Sequence, residues 1–182
     1  MYGEDDPILA YTTVGLVGED EFTGALSRQP GENVGTYSIN IGNLSPGINY
    51  TMTFVPANLT ITKAALTVRA DDKDYYIYYG GKNKYFQFDP LPVWTSTITG
   101  LTNGDTEQTV FSSAATYKIQ QTIFTGPGTF SITPLPRSMY SPQNYNVTYV
   151  KGALYVKIQQ DQRTHCCRGR RQGYLKGYEC IG

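Results

Sequence analysis

Along most of the first 157 positions, apolar and polar residues alternate in short runs divided by Gly, Pro, Asn and Asp. Tyr37, Ile39 and Ile41 alternate with Ser38 and Asn40; Tyr50, Met52 and Phe54 with Thr51 and Thr53; Leu59 and Ile61 with Thr60 and Thr62. A period of two sends one set into a core and turns the Thr and Ser set to solvent, so each run is predicted to be a strand. The GED, NGD, SPG and KG pieces between runs fix bends or tolerate positive φ. Many short strands and very little helix are expected.

The runs also repeat. GLVGED (15–20) returns as GLTNGD (100–105), GTYSI (35–39) as GTFSI (128–132), and NYTMTFVPANLTI (49–61) as NYNVTYVKGALYV (144–156). The second copy keeps the inward set as Phe130, Ile132, Tyr145, Val147, Tyr149, Leu154 and Val156 while its surface positions change. Such self-similarity marks tandem modules. We read them as 1–63 and 64–157, followed by a basic, Cys-containing tail over 158–182 that is expected to be poorly ordered. The segment ALTVRADDK (65–73) precedes YYG (78–80) in the second copy, whereas MYG (1–3) opens the first, which therefore lacks its first strand. Burying side chains such as Leu66 and Val68 contributes about 1.5–3 kcal/mol each, against a domain stability of about 5–15 kcal/mol. The first module is expected to be weak or to borrow a strand, and the chain to be a fragment of a longer array with Met1 as an internal or an artificially introduced start. Only Lys63 and Ala64 separate the last strand of one module from the first of the next. This points to rod-like stacking rather than independent tumbling.

Composition sharpens the class. Thr, Tyr, Val and Ile dominate the strand-like runs, and 19 Gly and 10 Pro punctuate them. An all-β fold of two tandem small β modules of immunoglobulin-like sandwich type is expected; the alternative is a β-grasp-like sheet with one short helix near EDEFTGALSR (19–28). Lys plus Arg and Asp plus Glu both number 15, so no overall field draws nucleic acid or an anionic membrane. No basic-then-apolar leader opens the chain, and no run approaches the roughly 18 apolar residues of a membrane span.

In the order and spacing of YGEDDP, LAYT, GLVGEDEFTGALSR, GENVGTYSI, NYTMTFV and LTITK (2–63), the chain resembles the MBG domains of YGX type, which occur in tandem in large bacterial adhesin-like surface proteins. The second module is a poorer match: it keeps LTVRADDK, YYG, GLTNGD, GTFSI and NYNVTYV, lacks GALSR and GENV, and carries insertions around 81–96 and 106–125. The resemblance implies extracellular or cell-surface, non-catalytic modules that act as spacer, stalk or weak multivalent adhesion. The implied partners are other repeats of the parent protein and host-surface or matrix glycans or proteins. It carries over no catalytic residue and no cofactor.

Little else in the chain carries chemistry. His165, Cys166, Cys167 and Cys180 are of a type that suits zinc, but adjacent cysteines present their sulfurs poorly to one tetrahedral ion, so no metal site is assigned. Acidic groups at Glu4, Asp5 and Asp6, at Glu19, Asp20 and Glu21, and at Asp71 and Asp72 could supply calcium oxygens, but lack the spacing of a known loop. Sequons at Asn43, Asn49, Asn58 and Asn146 matter only in a eukaryotic secretory host. The candidate ligand-binding residues are the aromatics Tyr75, Tyr76, Tyr78, Tyr79, Tyr85, Phe86 and Trp94. Solvent-facing rings would make a carbohydrate-binding module the alternative function; burial would leave them as core. A third expectation is donor-strand pairing at the open edge of the first module.

Overall fold

A computed structural model describes residues 1–79, 86–88, 91–119, 126–140 and 143–160, with 78, 79, 86–88 and 160 described as backbone only. The tail beyond Gln160, with His165 and all three cysteines, and the candidate residue Tyr85 lie outside the described residues. The fold is all-β. In chain order the strands are β1 (Ser27–Arg28), β2 (Gly35–Asn40), β3 (Ala57–Ile61), β4 (Ala64–Ala70), β5 (Lys73–Tyr79), β6 (Phe86–Phe88) and β7 (Ser96–Thr99). The helix α1 (Glu107–Val110) follows, then β8 (Tyr117–Ile119), β9 (Gly128–Pro134), β10 (Tyr145–Val150) and β11 (Gly152–Gln160).

The repeat in the sequence is a repeat of register. Strand β2 pairs antiparallel with β3 from Gly35↔Ile61 to Ile39↔Ala57, and β9 pairs with β11 from Gly128↔Val156 to Ile132↔Gly152. These are the positions matched by the GTYSI and NYTMTFVPANLTI blocks. The third strand agrees as well, Arg28 of β1 lying opposite Ile39 as Ile119 of β8 lies opposite Ile132. Inward residues alternate as the period-two pattern requires, with Tyr37 and Ile39 sheltered and Thr36, Ser38 and Asn40 exposed.

What the second module adds is a central strand. Strand β4 runs parallel to β10, with Leu66 beside Val147 and Val68 beside Tyr149, and antiparallel to β7 on its other edge. Its continuation β5 runs parallel to β11 in a second sheet, β6-β5-β11-β9-β8. Both long strands cross from one sheet to the next at a common corner. There the Asp71 carboxylate accepts from the Thr95 and Thr97 hydroxyls (2.6 and 2.7 Å), and Asp72 Oδ1 accepts from the Ala153 N–H (2.8 Å). Those hydrogen bonds hold both carboxyls below their ordinary range. A Cβ on Gly152 would stand 2.3 Å from the Ala70 carbonyl oxygen, so this corner closes only on glycine.

Two clusters form the core. One joins Leu66, Val68, Val110, Phe111 and Tyr145 of the second module to Tyr2 and Ile61 of the first; the other gathers Ala70, Tyr75, Ile77, Ile132, Leu154 and Val156. Leu66 and Val68, each 1 % exposed, sit at the centre of the first.

Three expectations need correction. The parallel pairs β4–β10 and β5–β11 depart from the antiparallel sheets of an immunoglobulin-like sandwich. The one described helix lies at Glu107–Val110, where Thr106 and Thr109 form a reciprocal cap. Residues 19–28 instead carry the Thr23–Ser45 bridge and β1, and Gly24, at φ 83°, turns the chain against the Asn43 carbonyl. Finally, Tyr50–Val55 keeps the alternating exposure of a strand but joins no ladder, whereas its counterpart β10 pairs with β4.

Candidate functional site at the module junction

The junction is built from both modules without a linker. Strand β3 ends at Ile61 and β4 begins at Ala64, and both residues are buried. Tyr2 donates its backbone N–H to the Thr62 carbonyl (2.8 Å) and its hydroxyl to Asp105 Oδ2 (2.9 Å). Tyr145 donates to the same carboxylate oxygen (2.7 Å), and its ring meets Tyr2 edge-on with centroids 5.4 Å apart. Asn144, buried, completes the seam. Its Oδ1 accepts from the Val34 N–H (3.0 Å), its Nδ2 donates to Asn33 Oδ1 (2.8 Å), and its carbonyl accepts from the Ala64 N–H (3.0 Å).

The Tyr145 contact is one of a matched pair. Tyr145 also accepts from the Thr102 N–H at 3.1 Å. In the first module Tyr50 donates to Asp20 (2.5 Å) and accepts from the Val17 N–H (3.1 Å), the same three positions of the repeated GLVGED and NY blocks. In the second module this Tyr–Asp latch ties the loop after β7 to the start of β10. Its surroundings differ between copies. Burial, with Asp105 and Tyr2 adding to it against the Thr102 backbone bond, pushes the Tyr145 hydroxyl up to about 12. Tyr50 is raised chiefly by its hydrogen bond to Asp20.

The MBG domain (YGX type) family model matches residues 1–60 and 66–155. The chain belongs to the MBG family. Its two matched stretches are consistent with tandem MBG repeats, and MBG repeats are a non-catalytic kind of domain. No curated protein and no solved structure matches the chain.

In this MBG pair the described candidate aromatics lie on β5 and β6 and in the core cluster beside them. Tyr75, at 3 % exposed, belongs to the second core cluster, and Trp94 packs partly buried against it. Tyr76 is half-buried with Lys157 Nζ 5.9 Å from its ring centroid. The backbones of Tyr78, Tyr79 and Phe86 lie in the β5–β6 hairpin, Tyr79 opposite Phe86. Among the described residues no group of three or more His, Cys, Asp or Glu is placed to hold a metal ion. Several acidic residues are paired: Asp6 and Glu32 clasp Arg28, and Glu4 meets the N-terminal amine.

Sequence reasoning missed Tyr2, Asp105, Asn144 and Arg137. Arg137, 6 % exposed at its side chain, lies over the Phe111 ring, pairs with Glu107 and donates twice to the Ser113 carbonyl. The Tyr–Asp latch did leave a signal, since both halves recur in the matched blocks of this MBG chain. Arg137 lies outside those blocks and left none.

Proposed function

We propose that the two modules are a stiff, non-catalytic spacer of a bacterial cell-surface or secreted adhesin-like protein. In this reading they hold further repeats, or a binding element, away from their anchor and contribute weak multivalent contact with surface glycans or proteins. The observation that carries the reading is the shared core at the junction: Tyr2 and Ile61 of one module pack with Leu66, Val68 and Tyr145 of the other. A hinged pair would instead be joined by a polar, extended linker.

Small-angle scattering tests it. The chain is expected to give one sharp distance distribution that does not change with temperature below unfolding. Inserting a flexible Gly-Ser segment between Thr62 and Lys63 is expected to broaden it. Identical distributions for the two chains would mean that the junction is already loose, and would overturn the spacer reading.

A further inference from the structure

The missing ladder beside Tyr50–Val55 leaves a groove of about 740 Å³ in the first module, bounded on one side by residues 10–16 and on the other by 50–55. Its floor is apolar, with Phe22, Leu26, Ile39, Leu44, Met52 and Phe54 contributing. The same place in the second module is full. There β4 lies between β10 and β7, whose counterparts by the repeated blocks are 50–55 and 11–14. The two banks of the groove are therefore the two neighbours of an absent strand.

Two further comparisons point the same way. Gly100 has φ 97°, and a Cβ there would lie 2.3 Å from the Ala65 carbonyl of β4. Its counterpart Gly15 holds nearly the same φ, 93°, yet nothing stands within 4 Å of the corresponding Cβ position. The backbone thus keeps the shape that admits a neighbour, and the neighbour's place is open. Exposure agrees: Val55 is 81 % exposed, against 38 % for its counterpart Val150.

We propose that this groove is the seat of one added β-strand, lying parallel to Thr51–Val55 and antiparallel to Tyr11–Val14. The occupant is an extended segment with the alternating pattern of Ala64–Ala70, joined to the amino group of Met1. Alternation follows from the apolar floor, because only every second side chain of a strand reaches it. Direction and attachment follow from Tyr2. A strand running parallel to 50–61 ends beside Thr62, and Tyr2 already donates its N–H to the Thr62 carbonyl there. One detail sets the limits of pairing. Ala57 stands where the second module has Gly152, so the seated strand passes this corner farther out than Ala70 does, and firm pairing is confined to 51–55. The proposal does not rest on the spacer reading, since a hinged pair of modules could carry the same groove.

The test copies residues 64–77 directly in front of Met1 of the full chain. Its control carries Asp at the two positions copied from Leu66 and Val68. The extended chain is expected to unfold in its first thermal transition at least about 5 °C higher. Amide exchange at 11–14 and 51–55 is expected to slow about tenfold or more, with neither effect in the Asp control. No added protection, or equal protection from the control, would overturn the proposal. Protection in the unextended chain that rises with concentration alongside a dimer would give the groove to a second copy. Protection from the free 64–77 peptide but not from the fused one would give it to a separate chain. Each of these last two results also overturns the proposal.

Discussion

Replacing Asn144 by Ala isolates the polar seam between the modules. The substitution removes two side-chain hydrogen bonds, from the Val34 N–H at 3.0 Å and to Asn33 Oδ1 at 2.8 Å, while the backbone bond to Ala64 remains. A net value of about 0.5–1.5 kcal/mol per bond gives about 1–3 kcal/mol, and the Val34 N–H, part-buried and without its acceptor, pushes the cost to the upper half of that range. The repeat supplies its own control: Asn49 is the counterpart of Asn144 and is exposed, so its replacement by Ala is expected to cost less than about 0.5 kcal/mol. Urea unfolding followed by circular dichroism would compare both variants with the parent chain. A double-mutant cycle pairing Asn144→Ala with Asn33→Ala is expected to show coupling of at least about 0.5 kcal/mol. A cost for Asn144→Ala no greater than that for Asn49→Ala, or simple additivity of the two seam substitutions, would refute a polar seam held by Asn144.

Other consequences can be measured on the same footing. Gly152→Ala puts a Cβ 2.3 Å from the Ala70 carbonyl and is expected to cost about 1–3 kcal/mol in chemical denaturation, whereas Gly47→Ala, with open space around it, feels only its φ of 95°. Tyr145 is neutral when protonated and has a folded value of about 12, above the ordinary 10. Its contribution is therefore complete below about pH 10 and lost as pH rises towards 12; Tyr145→Phe should flatten that part of the stability profile. Arg137→Ala strands the Ser113 carbonyl and uncovers Phe111, for an expected loss of about 2–4 kcal/mol in thermal or urea unfolding. Arg137→Lys should recover only part of it, since one ammonium cannot reproduce the forked donation.

Much of the fold was legible because alternation and self-similarity are local signals. The GTYSI block and the ANLTI end of the longer block located matching strands, and even their register carried from one module to the other. Partner choice was less legible. Alternation in Leu66 and Val68 says that a strand buries one face, but not that it runs parallel to residues 81 positions away, a pairing fixed only by closing the whole module. The junction was harder still, since Tyr2 and Asp105 lie 103 residues apart and neither stands out by composition. Reading NGD as a turn was sound, as Asn103 and Gly104 both have positive φ, but the Asp that follows serves as the acceptor for two tyrosines. The aromatic run 75–79 showed the opposite ambiguity: the same alternation that puts Tyr75 in the core can put its neighbours at the surface.

The parallel pairing of the second module has a mechanical meaning. The ribbon made by 64–79 and 145–160 receives the chain at Ala64 and releases it at the opposite end, at Gln160. Tension applied through the chain ends slides one strand along the other, so the hydrogen bonds of both ladders are loaded together in shear rather than peeled one after another. Resistance to pulling is set by the rate of such forced unfolding, not by equilibrium stability alone. The first module, whose described ladders β1–β2 and β2–β3 are all antiparallel, has no such clamp among its described residues. Under load the two halves of this chain are thus unequal, and the module with the open groove yields first.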